Sequence, residues 1–179
     1  RGGPITVDSF PYLGAGDKPP SRTKPYYVVG DMTTSGDWSV ADGETIIFIV
    51  KGNLTINGKI NTTGTGFAAF IVKGDIAVSP GIGPGVGGPA SSSVPVLEGL
   101  YVTGPLGTFK TGTSSVAGKE RFVGKGTFVA GNFLLQRDLT SVGANTTTAS
   151  ELFIHDPSLS LRAPRALLDV PITWEEVAP

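Results

Sequence analysis

Five residues, Phe48-Ile-Val-Lys-Gly52, recur 22 positions later as Phe70-Ile-Val-Lys-Gly74. The likeness continues past them, as Asn53-Leu-Thr-Ile56 after the first copy and Asp75-Ile-Ala-Val78 after the second. Both copies are rich in β-branched and aromatic side chains, which fit a pleated, half-buried surface. A short internal period in strand-like sequence marks a repeat architecture. One such unit cannot bury its apolar face alone and must stack on a neighbour. The repeat therefore predicts an all-β chain, a right-handed β-solenoid (β-helix) of a few irregular coils. Phe48 and Phe70 then hold equivalent positions on adjacent turns. The alternative is a β-sandwich. It rests on Asp42-Gly43 and Asn57-Gly58, which make tight turns in a hairpin and corners in a solenoid.

Around this body the composition changes. Residues 1–25 hold Pro4, Pro11, Pro19, Pro20 and Pro25, and proline lacks the amide donor a ladder needs. They predict an extended arm with one short strand at Ile5, Thr6 and Val7. Residues 26–156 carry the strand signals and form the solenoid body. Within them, residues 80–93 are rich in Gly, Pro and Ser and predict a loop insertion outside the core. Thr127-Phe-Val-Ala-Gly-Asn-Phe133 parallels Leu54-Thr-Ile-Asn-Gly-Lys-Ile60 and predicts a third, degenerate coil. Residues 157–179, with Pro157, Pro164 and Pro171, predict an extended tail that caps the body and seats Trp174 in a groove.

The strand Ile46, Ile47, Phe48, Ile49, Val50 is apolar at every position. A strand with one face in water alternates, so an unbroken run calls for cover on both faces. The cover is the chain's own arm or tail, or another subunit. In the second case Ile5, Thr6, Val7 and Ile46 to Val50 form a subunit interface, with the arm adding a strand to an open edge of a neighbour.

The net charge of −1 removes the electrostatic footprint of a nucleic-acid binder. No apolar run is long enough for a membrane-spanning helix. The absence of cysteine excludes disulfides and thiolate metal sites. Gly83-Pro-Gly-Val-Gly-Gly88 has the spacing of a dinucleotide loop, but Pro89 and Pro95 leave no helix to follow it. The single histidine, His155, stands beside Asp156, and adjacency alone does not build a triad. Asp31, Asp37 and Asp42 lack the spacing of a calcium loop. Asp75, Glu98, Glu120 and Asp138 form no recognisable carboxylate pair of the kind glycosidases use. The expectation is no catalytic residue, no cofactor and no metal. Asn53, Asn61 and Asn145 each begin an Asn-x-Thr triplet and are potential glycosylation sites in an exported chain. The sequence starts at Arg1, which fits a processed N-terminus or a truncated one.

The stretch Phe48-Ile-Val-Lys-Gly-Asn-Leu-Thr-Ile-Asn-Gly-Lys-Ile60, its copy from Phe70, the motif Phe128-Val-Ala-Gly-Asn-Phe-Leu-Leu-Gln-Arg-Asp138 and the ending Trp174-Glu-Glu-Val-Ala-Pro179 resemble the C-terminal β-solenoid region of surface proteins of uncultivated small-genome bacteria. The coil motif also resembles that of bactofilins, which are β-helical polymers, although residues 80–93 interrupt the continuous body a bactofilin has. The resemblance implies no catalytic residues. Together these features predict a non-catalytic extracellular structural protein that self-associates into a homo-oligomer or polymer: a surface layer, fibre or filamentous appendage. A cell-surface carbohydrate-binding module is the alternative, with Tyr26, Tyr27, Trp38 and Tyr101 as its aromatics and a surface glycan as partner. A polysaccharide-acting β-helix enzyme is the third.

Overall fold

The computed structural model describes residues 18–84, 92–113, 121–139 and 146–168. The chain is all-β with parallel strands. It passes back and forth between two sheets. One holds β1 (Tyr26–Val28), β3 (Trp38–Val40), β4 (Thr45–Val50), β6 (Ile60–Thr62), β7 (Phe67–Val72), β9 (Leu97–Thr103), β11 (Phe122–Val129) and β13 (Glu151–His155). The other holds β2 (Met32–Thr34), β5 (Leu54–Ile56), β8 (Ile76–Val78), β10 (Thr108–Lys110) and β12 (Asn132–Leu134). The long path of the first sheet runs β1-β4-β7-β9-β11-β13, with β3 joined to β6 and β6 to β9; the second runs β2-β5-β8-β10-β12.

The exact repeat becomes a ladder. Phe48 pairs with Phe70 in a parallel register that aligns Thr45–Val50 with Phe67–Val72 residue for residue. The hairpins of the β-sandwich alternative are not made. β3 and β4 flank Asp42-Gly43 but pair with β6 and with β1 and β7, and β5 and β6 flank Asn57-Gly58 but lie in different sheets. The degenerate repeat aligns in a different register from the one read in the sequence. Leu54 aligns through Ile76 and Phe109 with Phe133, not with Thr127.

Period-two alternation fills the space between the sheets. Met32, Leu54, Ile56, Ile76, Val78 and Phe109 from one side meet Phe48, Val50, Phe70, Val72 and Tyr101 from the other in one buried cluster. At its centre five rings stand in register, Tyr26, Phe48, Phe70, Tyr101 and Phe128. Successive centroids are 5.0, 5.6, 5.3 and 5.1 Å apart, and the last three pairs are tilted by no more than 10°. Parallel in-register pairing sets this spacing, because neighbouring strands lie about 4.8 Å apart. Arg22 covers the first ring of the column, its guanidinium 3.4 Å from the Tyr26 ring centre.

Corners are held by side-chain carbonyl and carboxylate oxygens that accept amide protons from the next pass. Asp31 Oδ1 accepts from Asn53 N at 2.7 Å, Asn53 Oδ1 from Asp75 N at 2.9 Å, and Asp75 Oδ1 from Thr108 N at 2.9 Å. Asp37 accepts from Lys59 N and Asp42 from Thr65 N in the same way. These amides donate to side-chain oxygens in place of a ladder carbonyl. The three aspartates considered for calcium thus serve separate corners, and no cluster of metal-binding side chains occurs among the described residues.

The second face of β4 is covered from within the chain. Ile46, Phe48 and Val50 face the inter-sheet core, while Ile47 joins Phe67, Ala69 and Leu159 in a second cluster on the outside. Leu159 belongs to α1 (Ser158–Arg162), and α2 (Arg165–Leu168) adds Leu167. Residues 158–168 are therefore largely helical, which corrects the extended tail predicted there. Asp156 Oδ1 accepts the Ser158 amide at the start of α1, and Arg162 reaches the Gly66 carbonyl at 3.0 Å and pairs with Asp156, pinning α1 to the sheet. A second correction concerns residues 80–93. Ile82 is 5% exposed and belongs to the inter-sheet core, so the insertion is not wholly outside it. No helix among the described residues is long and apolar enough to cross a membrane.

Candidate functional site

The two ends of the stack differ. At the far end, β13 pairs with Phe122–Gly126 of β11 and goes no further. After His155 comes Asp156 and then Pro157, which has no amide to donate, and the chain turns into α1. Thr127, Phe128 and Val129 are thereby left with a ladder partner on the β9 side only, among the described residues. β12 is the matching edge of the other sheet: among the described residues it pairs with β10 alone, and all three of its residues are exposed.

Between these two edges lies a groove of about 530 Å³, lined chiefly by Thr127, Phe128, Phe133, Leu135, Phe153 and His155. Phe128 is the last ring of the central column. Phe153 stands edge-on to it at 5.1 Å, and Phe133 meets Phe153 edge-on at 6.1 Å. The exposed fractions are 45% for Phe133, 52% for Leu135 and 38% for Phe153. Val129 and Leu134 extend the apolar surface beyond the rim. A single exposed leucine needs no explanation, whereas a contiguous apolar patch with open strand edges does.

Arg137 fixes the segment that carries Leu135. Its Nε donates to the Thr111 carbonyl at 2.8 Å and its terminal nitrogens to the carbonyls of Ser79 and Pro80, while its own amide donates to Glu151 at 2.6 Å. Burial pulls the guanidinium down to about 10, and Glu151 opposes that shift. Sequence inspection gave this arginine no role. The clamp ties three corners of the stack to the groove's wall.

Polar chemistry at the groove is sparse. Thr127 and His155 are the polar side chains among the lining residues named, and His155 is exposed. Asp156 directs its carboxylate away, to Ser158, Lys125 and Arg162. Burial raises its pKa, but the Ser158 hydrogen bonds and the Arg162 and Lys125 charges outweigh that and hold it below the usual carboxylate value. Of the acids weighed as a carboxylate pair, Asp75 binds Thr108 N and Lys110, and Glu98 binds Thr62 N and Lys125. Lys110 and Thr108 hold Asp75 below its ordinary value against the opposing effect of burial. Glu120 lies outside the described residues. The groove can bury apolar surface and accept a strand, and it presents no acid–base pair.

Of the residues weighed from sequence, His155 lines this groove with Thr127, Phe128 and Phe133 of the degenerate repeat, and none of the residues offered as interface, glycosylation site or carbohydrate-binding aromatic does. Ile46, Ile47, Phe48 and Val50 are buried within the single chain and Ile49 is half-buried, so this strand is not a free subunit surface. Ile5, Thr6 and Val7 lie outside the described residues. Asn53 donates its amide to Asp31 at 3.1 Å and accepts from Asp75, so a glycan there would break a corner. Asn61 is half-buried, with its side-chain oxygen buried and unpartnered among the described residues; Asn145 lies outside them. Of the aromatics on which a carbohydrate surface would rely, Tyr26, Trp38 and Tyr101 are buried, and Tyr27 lies half-buried beneath Lys51. The one trace of the groove in the sequence is the apolar run Phe133-Leu-Leu135, whose meaning depends on the pairing of β11, β12 and β13. Comparison with protein-family models, with curated proteins and with solved structures finds no match.

Proposed function

We propose that this chain is a non-catalytic, extracellular structural protein whose parallel passes are the coils of a short right-handed β-solenoid, and that copies associate through its open end into a layer, fibre or filament. One observation carries the proposal. Among the described residues the two sheets and the aromatic column stop together at β11, β12 and β13, with strand edges that have no further partner beside exposed Phe133, Leu135 and Phe153. A stack that ends this way gains both ladder hydrogen bonds and apolar burial from a further strand-bearing surface. The first end, where Arg22 covers the Tyr26 ring, is a different surface, so contact between unlike ends extends into a series unless the rotation closes a ring.

Electron microscopy of the purified full chain tests the proposal. Rods, sheets or filaments that lengthen with concentration are expected. Discrete monomers at every concentration into the millimolar range, with or without residues 169–179, contradict it.

A further inference from the structure

We infer that the open-end groove is the docking site of the chain's own C-terminal segment, residues 169–179, with the Trp174 indole laid against Phe128, Phe133 and Phe153. Three observations converge on this segment. The first is place. Leu167 walls a cleft with Leu100 and Thr127, and Thr127 also lines the groove, so the described chain leaves off beside the site. Trp174 is seven residues past Leu167, a reach of up to about 23–25 Å when extended, which spans the groove.

The second is chemistry. The groove is aromatic, and among the described residues Phe128 is stacked face to face on Tyr101 alone, with Phe109 and Phe153 meeting it edge-on. Outside the described residues the chain has only Phe10, Tyr12 and Trp174 as aromatics. Phe10 and Tyr12 precede Lys18, which pairs with Glu44 beside β4. β4 is four strand steps from β13, about 19 Å, whereas Trp174 follows Leu167, whose cleft shares Thr127 with the groove. The third is pattern. Val170, Ile172 and Trp174 alternate with Asp169, Pro171 and Thr173, the period of a strand with one apolar face. Such a strand suits the unpaired edge of Thr127–Val129.

A tethered segment acts at a local concentration of the order of millimolar. Burying one large aromatic side chain shifts an equilibrium by about ten- to a hundredfold. The docked tail and a second copy want the same surface. The tail therefore sets the concentration at which copies associate, a consequence that rests on the association proposed above, whereas the docking itself does not.

Tryptophan quenching tests the docking on the full chain. Trp38 is buried, so the difference between wild type and Trp174→Phe reports Trp174 alone. Trp174 is expected to be shielded from acrylamide severalfold relative to the urea-unfolded chain, at every protein concentration. Phe133→Glu, and independently Leu135→Lys at the half-exposed rim, should expose it while the β spectrum is kept. Removal of residues 169–179 should lower the association threshold by about tenfold or more in light scattering. Trp174 as accessible as in the unfolded chain, or shielded equally in both groove variants, overturns the docking and leaves the association proposal standing. Shielding that grows with protein concentration assigns the contact to a second copy and overturns the intramolecular one. If no form of the protein grows in size, the association proposal fails, while shielding relieved by the groove variants still upholds the docking.

Discussion

Replacing Phe70 with alanine removes the middle ring of the five-ring column. The side chain is fully buried, and it lies 5.6 Å from Phe48 and 5.3 Å from Tyr101 in near-parallel stacks, with Trp38 tilted against it at 6.2 Å. Truncating a buried phenylalanine costs about 3–5 kcal/mol through lost transfer energy and the cavity left behind. Two stacked partners place this site in the upper part of that range, because each aromatic pair adds roughly 0.5–1.5 kcal/mol beyond its area. The strands on both sides are held by parallel ladders, so the walls have little freedom to collapse into the void. A loss of about 4–5 kcal/mol is a large share of the roughly 5–15 kcal/mol that a domain has. At this chain length it lowers the melting temperature by about 8–20 °C. Phe153, 38% exposed at the open end, provides the comparison: Phe153→Ala should cost less than half as much. Thermal melts followed by circular dichroism measure both. A Phe70→Ala melt within about 3 °C of wild type, or a cost no greater than that of Phe153→Ala, refutes the column as the source of stability.

Three further outcomes follow from the same geometry. Gly126 sits mid-strand at φ 134°, and a Cβ there would lie 2.1 Å from the Gly99 carbonyl oxygen; Gly126→Ala should therefore unfold or strongly destabilise the chain, measured by its urea midpoint, while Gly30→Ala, which meets nothing within 4 Å, should be near neutral. The folded pKa of Asp156 lies below its unfolded value of about 3.9, so its contribution is fully present above that value and is lost as pH falls through the folded value; Asp156→Asn should flatten the acid limb of the stability curve and loosen α1, seen as faster amide exchange around Leu159. Replacing residues 85–91 with a Gly-Ser linker of equal length should leave the melt unchanged, since loop closure costs little, whereas Ile82→Ala should lower it by about 2–5 kcal/mol in stability.

The parallel stack was legible because two adjacent passes kept both their residues and their spacing. Phe48 and Phe70 are 22 residues apart and identical in context. The next rings in the column, Tyr101 and Phe128, come at intervals of 31 and 27, since insertions of different length separate the passes. Periodicity alone could not align them, which is why the third coil was read out of register. The unbroken apolar run Ile46–Val50 called for cover on both faces and left the tail, the arm and a second subunit open as its source; the tail supplies it, in a helical form the sequence did not show. Leu159 joins Ile47 and Leu167 packs against their cluster from two helices of five and four residues, too short to show a helical period. The groove was hidden for a different reason. It is made by strands that stop, and the stop at Pro157 acquires meaning only once β13 is known to lie beside β11.

The most direct test is the mass of the full chain in solution as a function of concentration, by light scattering, for wild type and Phe133→Glu. Phe133 is nearly half exposed at the open end, so the substitution should leave the thermal melt close to that of wild type. The expected result is a wild-type mass that rises with concentration and a variant held at the monomer's 18.4 kDa. A wild-type chain that remains monomeric even without residues 169–179, or a variant that grows as readily as the wild type, contradicts association through the β11–β12–β13 end.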